Sequence, residues 1–154
     1  MDCHKCQHKA VIELQHGSLC KNHFLSYFEE KVFKTFRKYN LLDPNDKICV
    51  AASGGKDSLT VLYLTKKYLE QHHFSNSLFA LAIDEGIHDY RAETIKDLQR
   101  FCKKYKIKLK IIKTKTEFKY TLDEAYPIVN KGTKKKPCNV CGVWRLYLIN
   151  KHAR

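Results

Sequence analysis

Three groups of residues in this chain have the types and spacing that chemistry requires, and the first is Ser53-Gly54-Gly55-Lys56-Asp57-Ser58. It follows the apolar run 48–52 and precedes the apolar stretch 59–64, which predicts a strand, a glycine turn and the start of a helix. Free N–H groups and the positive end of a helix attract phosphate at such a turn, and glycines let it approach closely. Asp57 or Ser58 is suited to cap the helix. The hexapeptide therefore predicts a phosphate site.

Two common phosphate loops are excluded, because the chain has neither G-x-x-x-x-G-K-[ST] nor a G-x-G-x-x-G that opens a helix. Ligands of doubly wound sheets bind at the carboxyl ends of the strands, where the loop 84–88 after a second apolar run also arrives. We expect Lys56 to add a point charge, Asp57 to orient Mg²⁺, and the backbone near Ile83 to hold an adenine. Asp84 or Glu85 could serve the site or could be a plain loop carboxylate. The sequence predicts the following nucleotide-binding residues: Ala52, Ser53, Gly54, Gly55, Lys56, Asp57, Ser58 and Ile83.

The second group is a pair of short motifs, Cys3-x2-Cys6 and Cys20-x2-His23, separated by a 13-residue loop. Three thiolates and one imidazole form a normal tetrahedral zinc set, and four protein ligands leave no open position, so a structural site is favoured. Fortuitous Cys and His content is the alternative, and the additional histidines His4, His8 and His16 leave the ligand assignment open.

The third group is Cys138-x2-Cys141, which follows the basic segment 131–136. Three interpretations remain open. Nearby cations and a helix N-terminus would lower the thiol pKa values and favour sulfur or redox chemistry. The pair could instead hold two corners of an iron–sulfur cluster, or form half of a zinc ribbon.

Composition indicates the class of partner. The 154 residues carry a formal charge of +13, with 29 basic and 16 acidic side chains, which favours nucleic acid first and an acidic membrane surface second. A lysine-rich solvated surface is the alternative. The absence of a long apolar segment and of a signal-peptide pattern predicts a cytoplasmic protein without a membrane anchor, in which seven cysteines are metal ligands or thiols.

Alternating elements position these groups. Strands are expected at 47–52, 78–83 and 107–112, and helices at 24–39, 58–71, 91–105, from Thr121 and from 143 towards 154. The Thr121–Glu124 segment has the pattern of a capping box. Strands that alternate with helices predict an α/β fold with a doubly wound parallel sheet.

Taken together, the hexapeptide, the leading Cys/His motifs, the loop 83–87 with Tyr90-Arg91, and the segment from Pro137 to Arg145 resemble one family. This family is the PP-loop ATP pyrophosphatases that 2-thiolate tRNA, of the TtcA/TtuA type and similar to the cytoplasmic tRNA 2-thiolation proteins. The resemblance implies a Rossmann-like PP-loop ATPase fold, here incomplete. It divides the chain into a zinc knuckle (1–23), a connecting helix and turn (24–46), and the amino-terminal half of the ATP-binding domain (47–154).

The resemblance also implies a chemistry, in which ATP adenylates the C2 oxygen of a tRNA uridine, pyrophosphate leaves and sulfur replaces the oxygen. By this likeness Asp57 and Arg145 are catalytic, Arg145 as a basic residue that faces the nucleotide. Cys138 and Cys141 would be catalytic ligands of a [4Fe–4S] cluster. Zinc at Cys3, Cys6, Cys20 and His23 would help to hold tRNA, and Lys134, Lys135 and Lys136 would contact RNA.

The family's members continue past the position of Arg154 and carry a third cluster cysteine. The expectation is therefore half of a split enzyme, a truncated product or an incomplete gene prediction. The resemblance further implies a homodimer, a sulfur-carrier protein and a second-half subunit as partners. Another PP-loop adenylating enzyme, such as an amidotransferase or ligase, and a non-catalytic nucleotide- or tRNA-binding module remain as alternatives. The modified uridine, at the wobble or the T-loop position, is left open.

Overall fold

The computed structural model describes residues 1–74, 77–132 and 136–154 of the chain. Its internal contacts divide it into two compact units, Met1–Pro44 and Asn45–Arg154. Among the described residues, no helix is both long enough and apolar enough to cross a membrane.

The amino-terminal unit is a hairpin followed by a helix. Strands β1 (Ile12–Leu14) and β2 (Gly17–Leu19) pair antiparallel, and helix α1 covers Lys21–Lys38. The hairpin was not predicted, because strands of three residues are too short to show an alternating pattern. Helix α1 begins three residues before the predicted start at 24, so His23 lies in its first turn. The small core of the unit is built on Cys3, Leu19 and Cys20.

The larger unit contains a parallel sheet in the order β3-β4-β5 within the described residues. Its elements are β3 (Lys47–Ala51), α2 (Lys56–Gln71), β4 (Ser77–Asp84), α3 (Arg91–Lys104), β5 (Lys108–Lys113), α4 (Thr114–Phe118), α5 (Leu122–Val129) and α6 (Pro137–His152). The predicted α/β class with parallel strands is confirmed.

Helices cover both faces of this sheet. The central strand β4 directs Ala80 and Ala82 towards the core formed with Leu62 of α2 and Leu98 of α3. Side chains alternate along a strand, so Leu81 and Ile83 lie on the other face, where α6 packs against β4. The doubly wound arrangement brings the ends of β3 and β4 to one edge, beside α6.

Two predicted helix starts in the larger unit were wrong, and both errors concern the site. Helix α2 begins at Lys56 with Gly55 as its N-cap and no side-chain cap, and Ser58 Oγ instead donates a hydrogen bond to the Gly55 carbonyl (2.8 Å). Helix α6 begins at Pro137 rather than near 143, because proline suits the first helical position. Cys138 and Cys141 therefore lie in the first turns of α6. The capping box of α5 is present as predicted, with Thr121 and Glu124 bonded reciprocally.

Helices α1, α2 and α3 end on left-handed residues that are not glycine. Asn40, His73 and Lys106 follow α1, α2 and α3 with φ values of 47°, 52° and 52°. In each case the next backbone N–H bonds back to a carbonyl five residues earlier, as in Phe74 to Leu69 (3.0 Å) and Ile107 to Cys102 (2.9 Å). This is the Schellman pattern, in which glycine is the usual residue at the left-handed position.

The end of α6 is held to α4 by Glu117, which accepts hydrogen bonds from Lys151 (2.7 Å) and His152 (3.0 Å). The Lys151 hydrogen bond lowers the pKa of Glu117 from its usual value of 4.5, with His152 adding to the effect. A carboxyl group whose folded pKa is lowered stabilises the fold above its unfolded pKa and loses that contribution as pH falls.

We therefore expect Glu117→Gln to reduce the stability of the protein near neutral pH and to flatten its loss of stability from about pH 4.5 downwards. Urea denaturation followed by circular dichroism across this range measures both effects. Glu70→Gln is the control, because Glu70 forms an exposed pair with Lys66 on one helix (2.7 Å) and such pairs contribute little. Equal changes in the two variants would contradict the assignment.

Candidate functional site

The turn between β3 and α2 is shaped by one glycine. Gly54 has φ = +90°, and a Cβ at this position would overlap the carbonyl oxygen of Thr94 in α3. The turn is closed by hydrogen bonds from Gly55 N to Ser53 Oγ (3.3 Å) and from Ser58 Oγ to Gly55 O (2.8 Å). Its conformation therefore depends on a close backbone approach that only glycine permits.

Arg91 ties this turn to the neighbouring loop. Its side chain is buried, and its guanidinium donates to the carbonyl of Ser53 and, through Nε and Nη2, to the carbonyl of Ile83. Nη1 also lies 3.2 Å from Thr94 Oγ1. One buried cation thus fixes the residues that end β3 and β4.

A cavity lies at this edge of the sheet. It is lined by Ala51, Ala52, Ser53, Ser58, Leu81, Ile83, Arg91, Arg145 and Ile149. Four predicted nucleotide-binding residues, Ala52, Ser53, Ser58 and Ile83, are therefore among its walls. Lys56 and Asp57 are exposed in the first turn of α2 and do not line it. The arrangement offers backbone donors, the end of a helix and two guanidinium groups to an anion.

Arg145 connects the cavity with the cysteine pair. Its Nε and Nη2 donate to Oε1 of Glu85 (2.9 and 2.5 Å), and Nη2 lies 3.6 Å from Cys141 Sγ. The thiol of Cys141 lies 3.9 Å from the same carboxylate oxygen. Cys138 is exposed one turn earlier and contacts Asn139. The structure therefore places one thiol of the pair beside a residue that lines the cavity.

The expectation that nearby cations lower both thiol pKa values is wrong for Cys141. Burial raises the pKa of the Cys141 thiol, and the attraction of Arg145 for the thiolate offsets this only partly. The Glu85 carboxylate raises it further. Cys141 is thus held as a thiol by its surroundings rather than activated by them.

The amino-terminal unit brings four possible metal ligands together. The ligand atoms of Cys3, Cys6, Cys20 and His23 all lie within 4.8 Å of one another. His23 Nδ1 is 3.3, 3.4 and 3.4 Å from the three sulfurs, and the sulfurs of Cys6 and Cys20 are 3.7 Å apart. Zinc bond lengths of about 2.3 Å to sulfur and about 2.05 Å to nitrogen give tetrahedral edges of about 3.8 and 3.6 Å. The donor set therefore fits a zinc ion.

The structure distinguishes His23 from the other candidate histidines by their contacts. His4 Nδ1 bonds to the Ser18 carbonyl (3.0 Å), His16 packs on Tyr27, and His8 approaches only Cys6 (3.4 Å). Burial raises the pKa of the Cys3 thiol, but hydrogen bonds from the Cys20 and Lys5 backbone and from His23 outweigh it and bring the pKa to about 5. A thiolate favoured at neutral pH is the form that binds a metal.

Two of the predicted RNA-binding lysines, Lys134 and Lys135, lie outside the described residues. Lys136 is exposed and is the N-cap of α6.

Sequence reasoning missed the roles of Glu85 and Arg91. Glu85 is fully buried and contacts side chains of α3 and α6, which no local pattern reveals. The sequence did contain a signal, because burying a carboxylate directly after a buried strand costs free energy unless cations accompany it. Two arginines were close in sequence to the predicted sites: Arg91 follows the loop 84–88, and Arg145 follows the cysteine pair.

A glycine turn between strand and helix, over a cavity at the carboxyl edge of a parallel sheet, defines a nucleotide-binding α/β protein of the PP-loop type. The family model of the PP-loop domain matches residues 25–126. The chain belongs to this family.

The chain is similar to a probable sulfurtransferase and to proteins named for tRNA thiolation. It is 42% identical over 137 residues to a probable sulfurtransferase of Methanocaldococcus jannaschii, covering 88% of this chain and 40% of the relative. It is 34% identical to cytoplasmic tRNA 2-thiolation protein 1 of Laccaria bicolor, covering 88% and 37%. Among solved structures it resembles the U34-tRNA thiolase NcsA of Methanococcus maripaludis, described with its [4Fe–4S] cluster, at a TM-score of 0.81 and 33% identity, covering 98% and 48%. The chain thus spans less than half the length of these relatives.

Proposed function

We propose that this chain is the nucleotide- and sulfur-handling portion of an ATP-dependent tRNA sulfurtransferase that 2-thiolates a uridine. One observation carries the proposal. Arg145 lines the cavity beside the PP-loop and at the same time lies 3.6 Å from the thiol of Cys141. A nucleotide held by the loop and a sulfur group held by the cysteine pair would therefore meet at one place.

In this proposal the turn from Ser53 to Ser58 holds the phosphates of ATP through its backbone N–H groups and the N-terminus of α2. Ala52 and Ile83 border the nucleoside, and Lys56 adds charge from the rim. Asp57, exposed in the first turn of α2, orients Mg²⁺ on the phosphates. Arg145 stabilises negative charge that develops at the α-phosphate.

The reaction has two steps. The C2 oxygen of the uridine attacks the α-phosphorus, and the bond to the β-phosphate oxygen breaks, so that pyrophosphate leaves. A sulfur nucleophile then attacks C2, and AMP departs with the original oxygen. The similar proteins include a U34-tRNA thiolase and a tRNA-5-methyluridine(54) 2-sulfurtransferase, each 33% identical to this chain, so the proposal assigns no position to the uridine.

Cys138 and Cys141 are the residues that would hold a [4Fe–4S] cluster. They are one helical turn apart, Cys138 is exposed, and both belong to α6. Such a cluster supplies a site at which sulfide can be bound and delivered. Burial raises the pKa of the Cys141 thiol, so a metal that binds its sulfur must displace the proton. Two thiolates are fewer than a cluster needs, so the proposal includes a third cysteine from a second-half segment or subunit.

Zinc at Cys3, Cys6, Cys20 and His23 is proposed as a structural site that helps to hold tRNA. The charge of +13 supplies the attraction for a polyanion, with Lys134, Lys135 and Lys136 as phosphate contacts. A homodimer and a sulfur-carrier protein belong to the proposal as expected partners. A cytoplasmic location completes it, in keeping with the name of the Laccaria relative.

The test is release of AMP and pyrophosphate from ATP in the presence of tRNA, after anaerobic reconstitution with iron and sulfide. We expect Asp57→Ala to lower the rate about 100-fold or more, because the metal that neutralises the phosphates is no longer oriented. Asp97→Ala is the matched control, since Asp97 pairs with Arg100 on the surface of α3, and it should retain the wild-type rate.

The alternatives predict other outcomes. An amidotransferase or ligase would release AMP without tRNA and without a need for iron. A binding module would retain tRNA on filters and release no pyrophosphate, with or without a second-half partner. Equal rates for the two aspartate variants would overturn the role given to Asp57.

A further inference from the structure

Glu85 is the most buried charged residue among those described, with no exposed surface. It directly follows β4, and its backbone is fixed because the carbonyl oxygen accepts from Leu122 N (2.8 Å) and Thr114 Oγ1 (3.2 Å). The next residue, Gly86, has φ = +68° and packs so closely on Thr121 that a Cβ would overlap it. The carboxylate therefore projects from a rigid point under the cavity.

The two oxygens of Glu85 have different partners. Oε1 accepts both Arg145 hydrogen bonds and is the oxygen near Cys141. Oε2 lies 2.9 Å from Arg91 Nε but receives no hydrogen bond in the described part of the chain. The reason is that Nε already donates to the carbonyl of Ile83 at 2.9 Å.

The two arginines differ in how far Glu85 fixes the orientation of their side chains. Arg91 is 6% exposed and is held by backbone carbonyls at both loops, so it would stay in place without the carboxylate. Arg145 is 46% exposed, and its described contacts are Glu85 and Cys141. A long, half-exposed guanidinium stays in one orientation only where hydrogen bonds hold it.

We propose that Glu85 is a positioning residue: it fixes the Arg145 guanidinium between the cavity and Cys141 Sγ, and so keeps this thiol covered on the cavity side. The contacts among these three side chains carry the inference. Its meaning for the reaction rests on the proposed function, in which Arg145 faces the nucleotide.

The test measures the position of Cys141 without any nucleotide, tRNA or metal. The whole chain, as isolated without metal, is treated with a short pulse of N-ethylmaleimide at neutral pH, and modification of each cysteine is read by peptide mass spectrometry. Cys138 is an exposed internal reference and Cys102 is a buried one. The variants are Glu85→Ala, Glu85→Gln, Arg145→Ala and the double variant Glu85→Ala/Arg145→Ala.

We expect Glu85→Ala to raise the labelling rate of Cys141 about 5- to 10-fold relative to Cys138, while Cys102 stays protected, because reactivity follows exposure and charge around the sulfur. Arg145→Ala should also raise the rate, but by less, because the guanidinium that attracts the thiolate is lost together with the cover. The double variant should not exceed Glu85→Ala, since Glu85 acts through Arg145. Glu85→Gln keeps an acceptor oxygen and should give a smaller rise. Asp89→Asn, an exposed carboxylate four residues away, is the control and should leave Cys141 at the wild-type rate.

Two results would overturn the proposal. In the first, Cys141 reacts at the wild-type rate in both Glu85 variants. In the second, Cys102 becomes as reactive as Cys141 in both, which would mean that Glu85 only supports the fold. If Cys102 becomes reactive in Glu85→Ala but not in Glu85→Gln, the alanine variant is misfolded and the Cys141 labelling rate of Glu85→Gln tests the proposal.

A kinetic measurement separates this inference from the proposed function. In the reconstituted protein, Glu85→Gln should lower kcat for AMP release at least about 10-fold and leave the KM for ATP within about 2-fold, because the PP-loop and its tie to Arg91 are untouched. A wild-type protein that releases no AMP, both alone and with a second-half partner that supplies the third cysteine, would refute the proposed function while the labelling result still decides the role of Glu85.

Discussion

Replacing Gly54 with alanine should abolish most nucleotide binding. The residue has φ = +90°, which costs a side-chain-bearing residue about 1–3 kcal/mol, and its Cβ would overlap the Thr94 carbonyl, which belongs to the backbone of α3 and cannot rotate away. The turn must open to relieve the overlap, and the N–H groups then no longer converge on one point. We expect ATP affinity to fall about 10- to 100-fold, measured by isothermal titration calorimetry.

The neighbouring glycine provides a matched control. Gly55 has no positive φ, and a Cβ there would meet only Ser53 Oγ, at 3.4 Å, which is ordinary contact. Gly55→Ala should therefore keep its affinity within about 3-fold of the wild type. Equal losses in the two variants would show that crowding of the phosphate, rather than backbone conformation, limits binding. Melting curves of both proteins check that each is folded.

Removal of metal should unfold the amino-terminal unit. Its buried cluster is built on Cys3, Leu19 and Cys20 with a few partly buried neighbours, and a unit of 44 residues with so small a core needs a metal or another cross-link. A structural zinc ion contributes roughly 10 kcal/mol or more to folding in such units. We expect about one zinc ion per chain by elemental analysis, and rapid hydrogen exchange throughout Met1–Pro44 after chelation.

Two histidine variants distinguish a ligand from a neighbour. His23 Nδ1 approaches all three sulfurs, whereas His8 approaches only Cys6. His23→Ala should weaken zinc binding at least about 100-fold, since even outer partners of a ligand are worth 10- to 100-fold. His8→Ala should bind zinc as the wild type does. Zinc retention by the His23 variant, or an unchanged exchange pattern after chelation, would contradict the assignment.

The parts of this fold that follow from local pattern could be predicted. The strand, glycine turn and helix around Gly54 are adjacent in the chain. The capping box of α5 likewise joins two residues close in sequence, Thr121 and Glu124. The paired spacing of the cysteines and the histidine indicated Cys3, Cys6, Cys20 and His23 as a zinc set, although the additional histidines left that assignment open.

What could not be predicted depends on contacts distant in sequence. Glu85 and Arg145 are 60 residues apart, and only the packing of α6 on β4 brings them together. The same packing half-buries Cys141, so its pKa moves opposite to the direction expected from neighbouring charges. The start of α6 was misplaced because the helix was expected only after the cysteine motif, although proline suits a first helical turn and Pro137 precedes the motif.

The left-handed helix endings at Asn40, His73 and Lys106 lower the thermal stability of this protein relative to glycine at the same positions. Each side chain there tolerates a backbone geometry that costs about 1 kcal/mol and that glycine adopts freely. His73 follows the far end of α2, about 24 Å along the helix from the turn that faces the cavity. Sturdier versions for crystallography can thus be engineered without touching the chemistry.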